Sequence, residues 1–373
     1  MRVYTKYRVG QRQNNQRGGG NTAAILVFIA LVAGVSWLCW KEWKRRHVRR
    51  ETPVAISTNR PTVLTQRVEV ATPPVKRVIL PPVLTNSPAN KSAAVLDAQV
   101  ALDRMGLSAG SIDGVLGAQT RSALRAFQLR EGLPRTGELD ADTRARLTLS
   151  DGPLTTYTIS GSETARLIPV AKTWLGKSEQ ARLDYETLME MIAERNHAHP
   201  NLVRRLNPTL NWDLIPAGTE VTVPATQREA PGGKAAFVQI RLSERTLEAF
   251  DFNNRLLAHF PCSIAARVDK RPVGELRVEV IAPNPNYTFN PEVFPESAEA
   301  RELGRKLVIP PGPNNPVGTV WIGLDKPGYG IHGTPKPEDV GRTESHGCFR
   351  LANWNAEYLL QLVTVGTPVR VEP

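Results

Sequence analysis

At 373 residues the chain has room for two or three domains, and a hydrophobic fraction of 41% is ordinary for folded protein. The net charge of +11 is unevenly spread: residues 1–50 hold eleven basic residues and one acid, residues 51–91 hold five and two, and everything beyond is close to neutral. A basic head beside an apolar stretch fits anionic lipid rather than nucleic acid, and three cysteines exclude a disulfide framework.

Residues 1–21 form a basic tail, and residues 22–40 carry no charge and are mostly Ala, Ile, Leu, Val, Phe and Trp. As a helix they would span about 28 Å, close to the hydrocarbon core of a bilayer. Trp37, Trp40 and Trp43 supply an interfacial belt, so a single transmembrane helix is expected. A cleaved signal peptide is the rival, although such segments are usually shorter and end in small residues. Basic residues flank both ends, so charge alone leaves the orientation open. Residues 41–91 read as a basic, then Pro-rich linker, in which Pro53, Pro61, Pro73, Pro74, Pro81, Pro82 and Pro88 oppose helix.

Residues 92–150 read as three helices. Val95, Leu96, Leu102 and Met105 recur at helical spacing and stop at Gly106; a second helix runs from about Thr120 to Glu131, and a third starts after Asp140 and buries Leu147. With Asp113-Gly114, Gly117, Thr120, Ala123, Phe127-Gln128, Gly132-Leu133, Thr136-Gly137 and Thr143, the stretch resembles the peptidoglycan-binding three-helix domain of cell-wall enzymes. A helical spacer whose glycines serve only as turns is the plain alternative.

In residues 151–230, Tyr157-Thr158-Ile159 opens a strand, a helix covers about Tyr185 to Arg195, and Pro216-Ala217-Gly218-Thr219 leads into Glu220-Val221-Thr222-Val223. This order resembles a stretched LysM module, a glycan-binding βααβ fold. A domain that merely packs against its neighbour is the other reading. His197 and His199, at a helix end, read as surface polar residues.

Residues 234–373 change to short alternating strands around Val238, Leu247, Leu276 to Ala282, Val320-Trp321-Ile322 and Val369-Arg370-Val371. One helix stands out, with Tyr358, Leu359 and Leu362 on a face and Asn353 as candidate cap. Residues 283–313 are long and irregular, as lids and binding loops are. The fold class expected is multidomain α+β: a transmembrane helix, a three-helix domain, a LysM-like domain and a mostly-β, sandwich-like catalytic domain.

The chemistry concentrates in Ile331-His332-Gly333-Thr334 and Ser345-His346-Gly347-Cys348-Phe349-Arg350-Leu351. A thiol near pKa 8.5 is only a few per cent thiolate at neutral pH, and a nearby imidazole can activate it and later protonate a leaving amine. Cys348 reads as lying in a Gly-rich turn ahead of the helix, with main-chain N–H groups free to hold an oxyanion, each worth ~3 kcal/mol. Arg350 offers a fixed fork to a carboxylate. His346 adjoins the thiol and competes with His332 for the role of base, but neighbours on an extended turn point apart. His259, in a strand, reads as structural, and zinc-ligand spacings are missing. Cys262 and Cys348 would silence the thiol if they paired.

The order and spacing resemble the signature of the L,D-transpeptidases (the YkuD type), His-Gly followed by Ser-His-Gly-Cys, an apolar residue and Arg or Asn; Phe349 is bulkier than the usual aliphatic residue. The resemblance implies Cys348 as nucleophile and His332 as base and acid, oriented by the Gly333 carbonyl. It further implies an oxyanion site from the main chain of His346, Gly347 and Cys348, with Ser345 and Arg350 anchoring the donor peptide. No metal or organic cofactor is implied. The reaction implied is loss of D-Ala from a tetrapeptide stem through a thioester, then transfer to a neighbouring stem as a 3→3 cross-link. An L,D-carboxypeptidase using water, or a wall-binding protein without catalysis, stays open. Peptidoglycan stems and glycan strands are the partners implied. The implied location is the inner membrane, N-terminus in the cytoplasm and catalytic domain in the periplasm.

Overall fold

The structure is a computed structural model that describes residues 88–294, 297–343 and 347–373. The basic tail, the apolar stretch 22–40, nearly all of the linker, Ser345 and His346 lie outside the described residues. Among the described residues no helix is long and apolar enough to cross a membrane.

The first helix, α1 (Pro88–Arg104), takes in the end of the expected linker. Pro88 is tolerated because it stands in the first turn, where its missing N–H has no intrahelical partner to lose. With α2 (Ala118–Arg130) and α3 (Ala141–Arg146) it encloses Ala98, Leu102, Leu107, Leu124, Phe127 and Leu147. Two buried glutamines hold the connecting turns. The Gln99 amide donates to Asp113, the Val115 carbonyl and Thr120, and accepts from the Asp113 and Gly114 N–H groups. Gln128 repeats this device with Thr136, the Glu138 carbonyl, Thr143 and Gly137 N–H. Asp113-Gly114, Thr120, Gln128, Thr136-Gly137 and Thr143 therefore satisfy buried amides inside the domain.

Next, β1 (Leu154–Thr158) and β2 (Glu220–Pro224) pair antiparallel around four short helices: α4 (Gly161–Thr164), α5 (Trp174–Glu179), α6 (Leu188–Arg195) and α7 (Pro200–Leu206). Capping boxes start α4 (Ser160 with Glu163) and α6 (Thr187 with Glu190). Met191, Ile192, Val203, Val221 and Val223 form the core.

The C-terminal part runs β3 (Phe237–Arg241), β4 (Thr246–Phe250), β5 (Leu256–Pro261), β6 (Gly274–Pro283), β7 (Tyr287–Phe289), α8 (Ala298–Leu303), β8 (Leu307–Ile309), β9 (Val320–Leu324), β10 (Gly330–His332), β11 (Phe349–Arg350), α9 (Asn353–Leu362) and β12 (Pro368–Glu372). In place of a two-sheet sandwich there is one eight-stranded sheet, ordered β11-β10-β9-β6-β12-β3-β4-β5. It turns at β6: Gly274 to Arg277 pair with β12, a register shift falls between Val278 and Val280, and the remainder pairs with β9. A bulge bends its strand and increases the local twist, so both halves share one core with α9. Strands β7 and β8 form a separate hairpin within 283–313.

The three parts are joined by polar contacts. Segment 106–108 continues the sheet beyond β5 through main-chain bonds between His259 and both Gly106 and Ser108. Asp103 of α1 is fully buried and pairs with Arg228 and with His197 Nδ1 at 2.7 Å. Arg228 also donates to Asn355 Oδ1 of α9 at 2.9 Å, and His197 stacks on Trp354. His197 is thus an interdomain residue rather than a surface one, because the carboxylate that recruits it lies 94 positions away. His199 instead caps α7, its Nδ1 accepting from Asn201 N–H.

Candidate active site

Strands β10 and β11 run parallel, with Ile331 opposite Phe349 and His332 opposite Arg350. Side chains alternate faces along a strand, so Ile331 and Phe349 point into the core while His332, Arg350 and Cys348 share the other face. One step back in the register, Cys348 lies beside Gly330, whose main chain hydrogen-bonds its sulfur. The thiol also reaches the Gly328 carbonyl at 3.5 Å. Cys348 therefore precedes a short strand, not a helix: β11 separates it from α9.

His332 is 5% exposed, and its Nδ1 donates to its neighbour's carbonyl, Gly333 O, at 2.6 Å. That bond fixes the tautomer and leaves Nε2 as the basic atom. Burial, reinforced by Arg350, holds the imidazole down at about 4 even though the Gly333 bond favours its charged form. Burial likewise pushes the Cys348 thiol up, partly offset by the Gly330 main chain and Arg350. The resting pair at neutral pH is a neutral thiol and a neutral imidazole. A charged imidazolium–thiolate pair is disfavoured at rest by desolvation of both groups, and the nearby Arg350 guanidinium further opposes charging His332.

The backbone that follows His332 is held from behind by Asn353. This residue is the first of α9 rather than its cap; the cap position is Ala352. Its Oδ1 accepts from Thr319 N–H at 3.2 Å and Thr334 N–H at 3.0 Å, and its Nδ2 donates to Glu194 at 2.9 Å and the Pro313 carbonyl at 3.2 Å. A Cβ on Gly333 would lie 2.1 Å from that Oδ1, which is why the residue after His332 has no side chain. On the other side Trp321 stacks against the His332 ring at 5.7 Å, and a Cβ on Gly330 would meet its indole at 2.6 Å.

Tyr287 of β7, near the start of the irregular stretch, lies close to this face. Burial and the Cys348 sulfur together push the Tyr287 phenol up, which puts the β7–β8 hairpin within electrostatic reach of the thiol. The hairpin is fastened to the middle part of the chain. Trp174 of α5 stacks on Phe289 at 4.3 Å and packs on Tyr287 and Phe294, and Leu183 and Pro311 are joined by a main-chain bond. Beside Arg350 a cavity of about 190 Å³ is lined by Ser263, Thr334, Lys336 and Asp339.

The structure thus brings His332, Gly333, Cys348 and Arg350 together, and a Cβ added at Gly347 would only just reach the Tyr329 ring. Ser345 and His346 lie outside the described residues. Cys262 is a buried thiol, pushed well up by burial and in no disulfide, so it does not pair with Cys348. His259 bonds Glu248 through Nδ1 at 3.0 Å inside the sheet. Asn353, Glu194, Trp321 and Tyr287 escaped the sequence reading. Asn353 carried a signal, a polar residue ahead of an apolar helix, that was read as a cap.

Comparison with known proteins agrees with this arrangement. The L,D-transpeptidase catalytic domain family matches residues 235–371, and a peptidoglycan binding domain matches residues 91–147. YqjB of Bacillus subtilis, which carries the L,D-transpeptidase name, is 33% identical over 154 residues, covering 40% of this chain and 76% of that one. The chain belongs to the L,D-transpeptidase family. A relative of the same name in Fuscovulum blasticum is 31% identical over 44% of this chain and 86% of its own. YkuD of Bacillus licheniformis is 27% identical over 50% of this chain and 94% of its own. The L,D-transpeptidase family is one of cysteine-dependent acyltransferases, and the peptidoglycan binding domain beside it implies a peptidoglycan substrate.

Proposed function

We propose that this L,D-transpeptidase forms 3→3 cross-links between peptidoglycan stem peptides, with Cys348 as nucleophile and His332 as base and acid. The observation that carries the reading is the fixed tautomer of a neutral His332 on the same strand face as Cys348. Nε2 takes the thiol proton as sulfur attacks the carbonyl that precedes the terminal D-Ala. The tetrahedral oxyanion is held by main-chain N–H groups around Gly347 and Cys348, then collapses as His332 protonates the departing D-Ala amine. A side-chain amine of a second stem attacks the thioester, His332 accepts its proton, and the thiol is restored. Arg350, beside its cavity, anchors a donor carboxylate, a role Ser345 shares.

The remaining parts bring the enzyme to its polymer. Residues 22–40 anchor it in the inner membrane with the N-terminus in the cytoplasm, so that the catalytic part works in the periplasm, where its substrate lies. The module from β1 to β2, whose paired strands bracket four short helices where a LysM module has two, contacts glycan along a cleft of about 740 Å³ between α6, Trp212 and Pro335.

The test is incubation with a disaccharide-tetrapeptide carrying meso-diaminopimelate, followed by mass spectrometry. A dimer lacking one D-Ala, absent with Cys348→Ala, supports the proposal. Tripeptide alone would assign a carboxypeptidase instead, and glycan binding without any product would assign a wall-binding protein.

A further inference from the structure

Glu194 lies on α6, outside the catalytic sheet, yet its carboxyl sits behind the active site and is only 7% exposed. Its Oε1 accepts from Asn353 Nδ2 at 2.9 Å and from the Tyr185 hydroxyl at 3.2 Å. The Asn353 amide has two N–H donors and an oxygen with two lone pairs, and all four are used in a site that is 1% exposed. Because its donors go to Glu194 and the Pro313 carbonyl, its oxygen must face the N–H groups of Thr319 and Thr334. Turned over, the amide would set N–H against N–H on one side and oxygen against oxygen on the other. That oxygen is the surface on which Gly333 packs, and the Gly333 carbonyl holds the His332 ring.

We propose that Glu194 is a positioning residue for His332, acting through Asn353 and the Gly333–Thr334 backbone, so that the middle module completes the catalytic site. The inference rests on the reading of His332 as base. The groups that face Glu194 are Tyr185 before its helix, Glu190 on it, and Asn353 and Glu357 on α9. Burial first, then Glu190 and Glu357, push its carboxyl up to about 8, so at neutral pH it is an uncharged acceptor. An amide at this position can accept the same bond; a leucine cannot.

The test uses the full chain labelled with ¹⁵N-histidine and compares Glu194→Gln, Glu194→Leu and Glu194→Asp with the parent. In the parent and Glu194→Gln, His332 should hold its proton on Nδ1 and titrate far below an ordinary histidine, and turnover should agree within about threefold. In Glu194→Leu the two tautomers should mix, and kcat should fall by roughly 10²-fold with KM little changed, the size expected of a misplaced catalytic group. Glu194→Asp, too short to reach Asn353, should shift His332 in the same direction and decides the matter if the leucine variant does not fold. An unchanged His332 tautomer and titration in a folded Glu194→Leu or Glu194→Asp would overturn the proposal. The histidine signals give this answer even if the parent turns over no stem peptide, so failure of the activity reading and failure of the positioning role are distinguishable.

Discussion

At the scale of single residues, the unusual property is a thiol and an imidazole that rest uncharged on one face of the sheet. His332 is buried beside Arg350, and protonating it adds a second buried positive charge. The fall of kcat/KM on the acid side should therefore track a group near 4, well below an ordinary histidine, and a pH–rate profile measures this. An acid limb at 6.5 would mean instead that His332 titrates as an ordinary histidine, without the depression that burial and Arg350 impose. The candidate residues Cys348, His332 and Gly333 stood out in the sequence because acyl-transfer chemistry calls for a thiol, an imidazole and glycines, and the structure brings them together. The residues that hold them did not stand out. Asn353 looks like a helix cap in sequence, since nothing local reveals that Thr319 and Thr334 bring two N–H groups to it. His197 looked exposed because its partners, Asp103 and Trp354, are remote in the chain.

At the scale of elements, α6 carries a buried acid into the catalytic region, and this has a stability cost that depends on pH. Glu194 has a folded value of about 8 against an ordinary 4.5, so folding favours its neutral form. Its favourable contribution is complete below about pH 4.5 and is lost as pH rises towards 8, with a slope of at most about 1.4 kcal/mol per pH unit. Denaturant titrations across that range should show the slope in the parent and not in Glu194→Gln, which should be the more stable protein above pH 8. The β7–β8 hairpin is the other element with consequences. The length and irregularity of residues 283–313 were legible in the sequence, but not the Trp174 stack on Phe289, because aromatic partners across domains leave no periodicity. Trp174→Ala should destabilise the hairpin by ~1–3 kcal/mol and speed amide exchange at Tyr287–Phe289 and Leu307–Ile309, while β3–β5 keep their protection.

At the scale of the whole molecule, the described parts share buried charge as well as apolar surface. Asp103, Arg228, His197 and Asn355 come from four separate segments and meet around the fully buried Asp103 carboxylate. Burial alone would raise the Asp103 carboxyl, but Arg228 and His197 hold it at about 2. Its contribution is present above an ordinary 3.8 and fades as pH falls towards 2. Asp103→Ala leaves Arg228 buried without its counter-charge and should cost ~3–5 kcal/mol, measurable by thermal or denaturant unfolding at neutral pH. The longer helices and the strands around Val238, Leu247, Leu276 to Ala282, Val320 to Ile322 and Val369 to Val371 could be read from hydrophobic period, whereas short elements such as β7, β8, β10, β11 and α7 carry too few positions to show one. The curl of the sheet at β6 and the polar junctions could not be read either, because a bulge and a long-range ion pair leave no repeating pattern.

The central claim is that Cys348 forms a thioester with the donor stem under the control of His332. Intact-protein mass spectrometry after brief mixing with a tetrapeptide stem tests it most directly. The expected product is an adduct equal to the stem minus D-Ala, mapped to Cys348, absent in Cys348→Ala and accumulating at least about 100-fold more slowly in His332→Ala. An adduct on another residue, or D-Ala release that persists undiminished in Cys348→Ala, would contradict it.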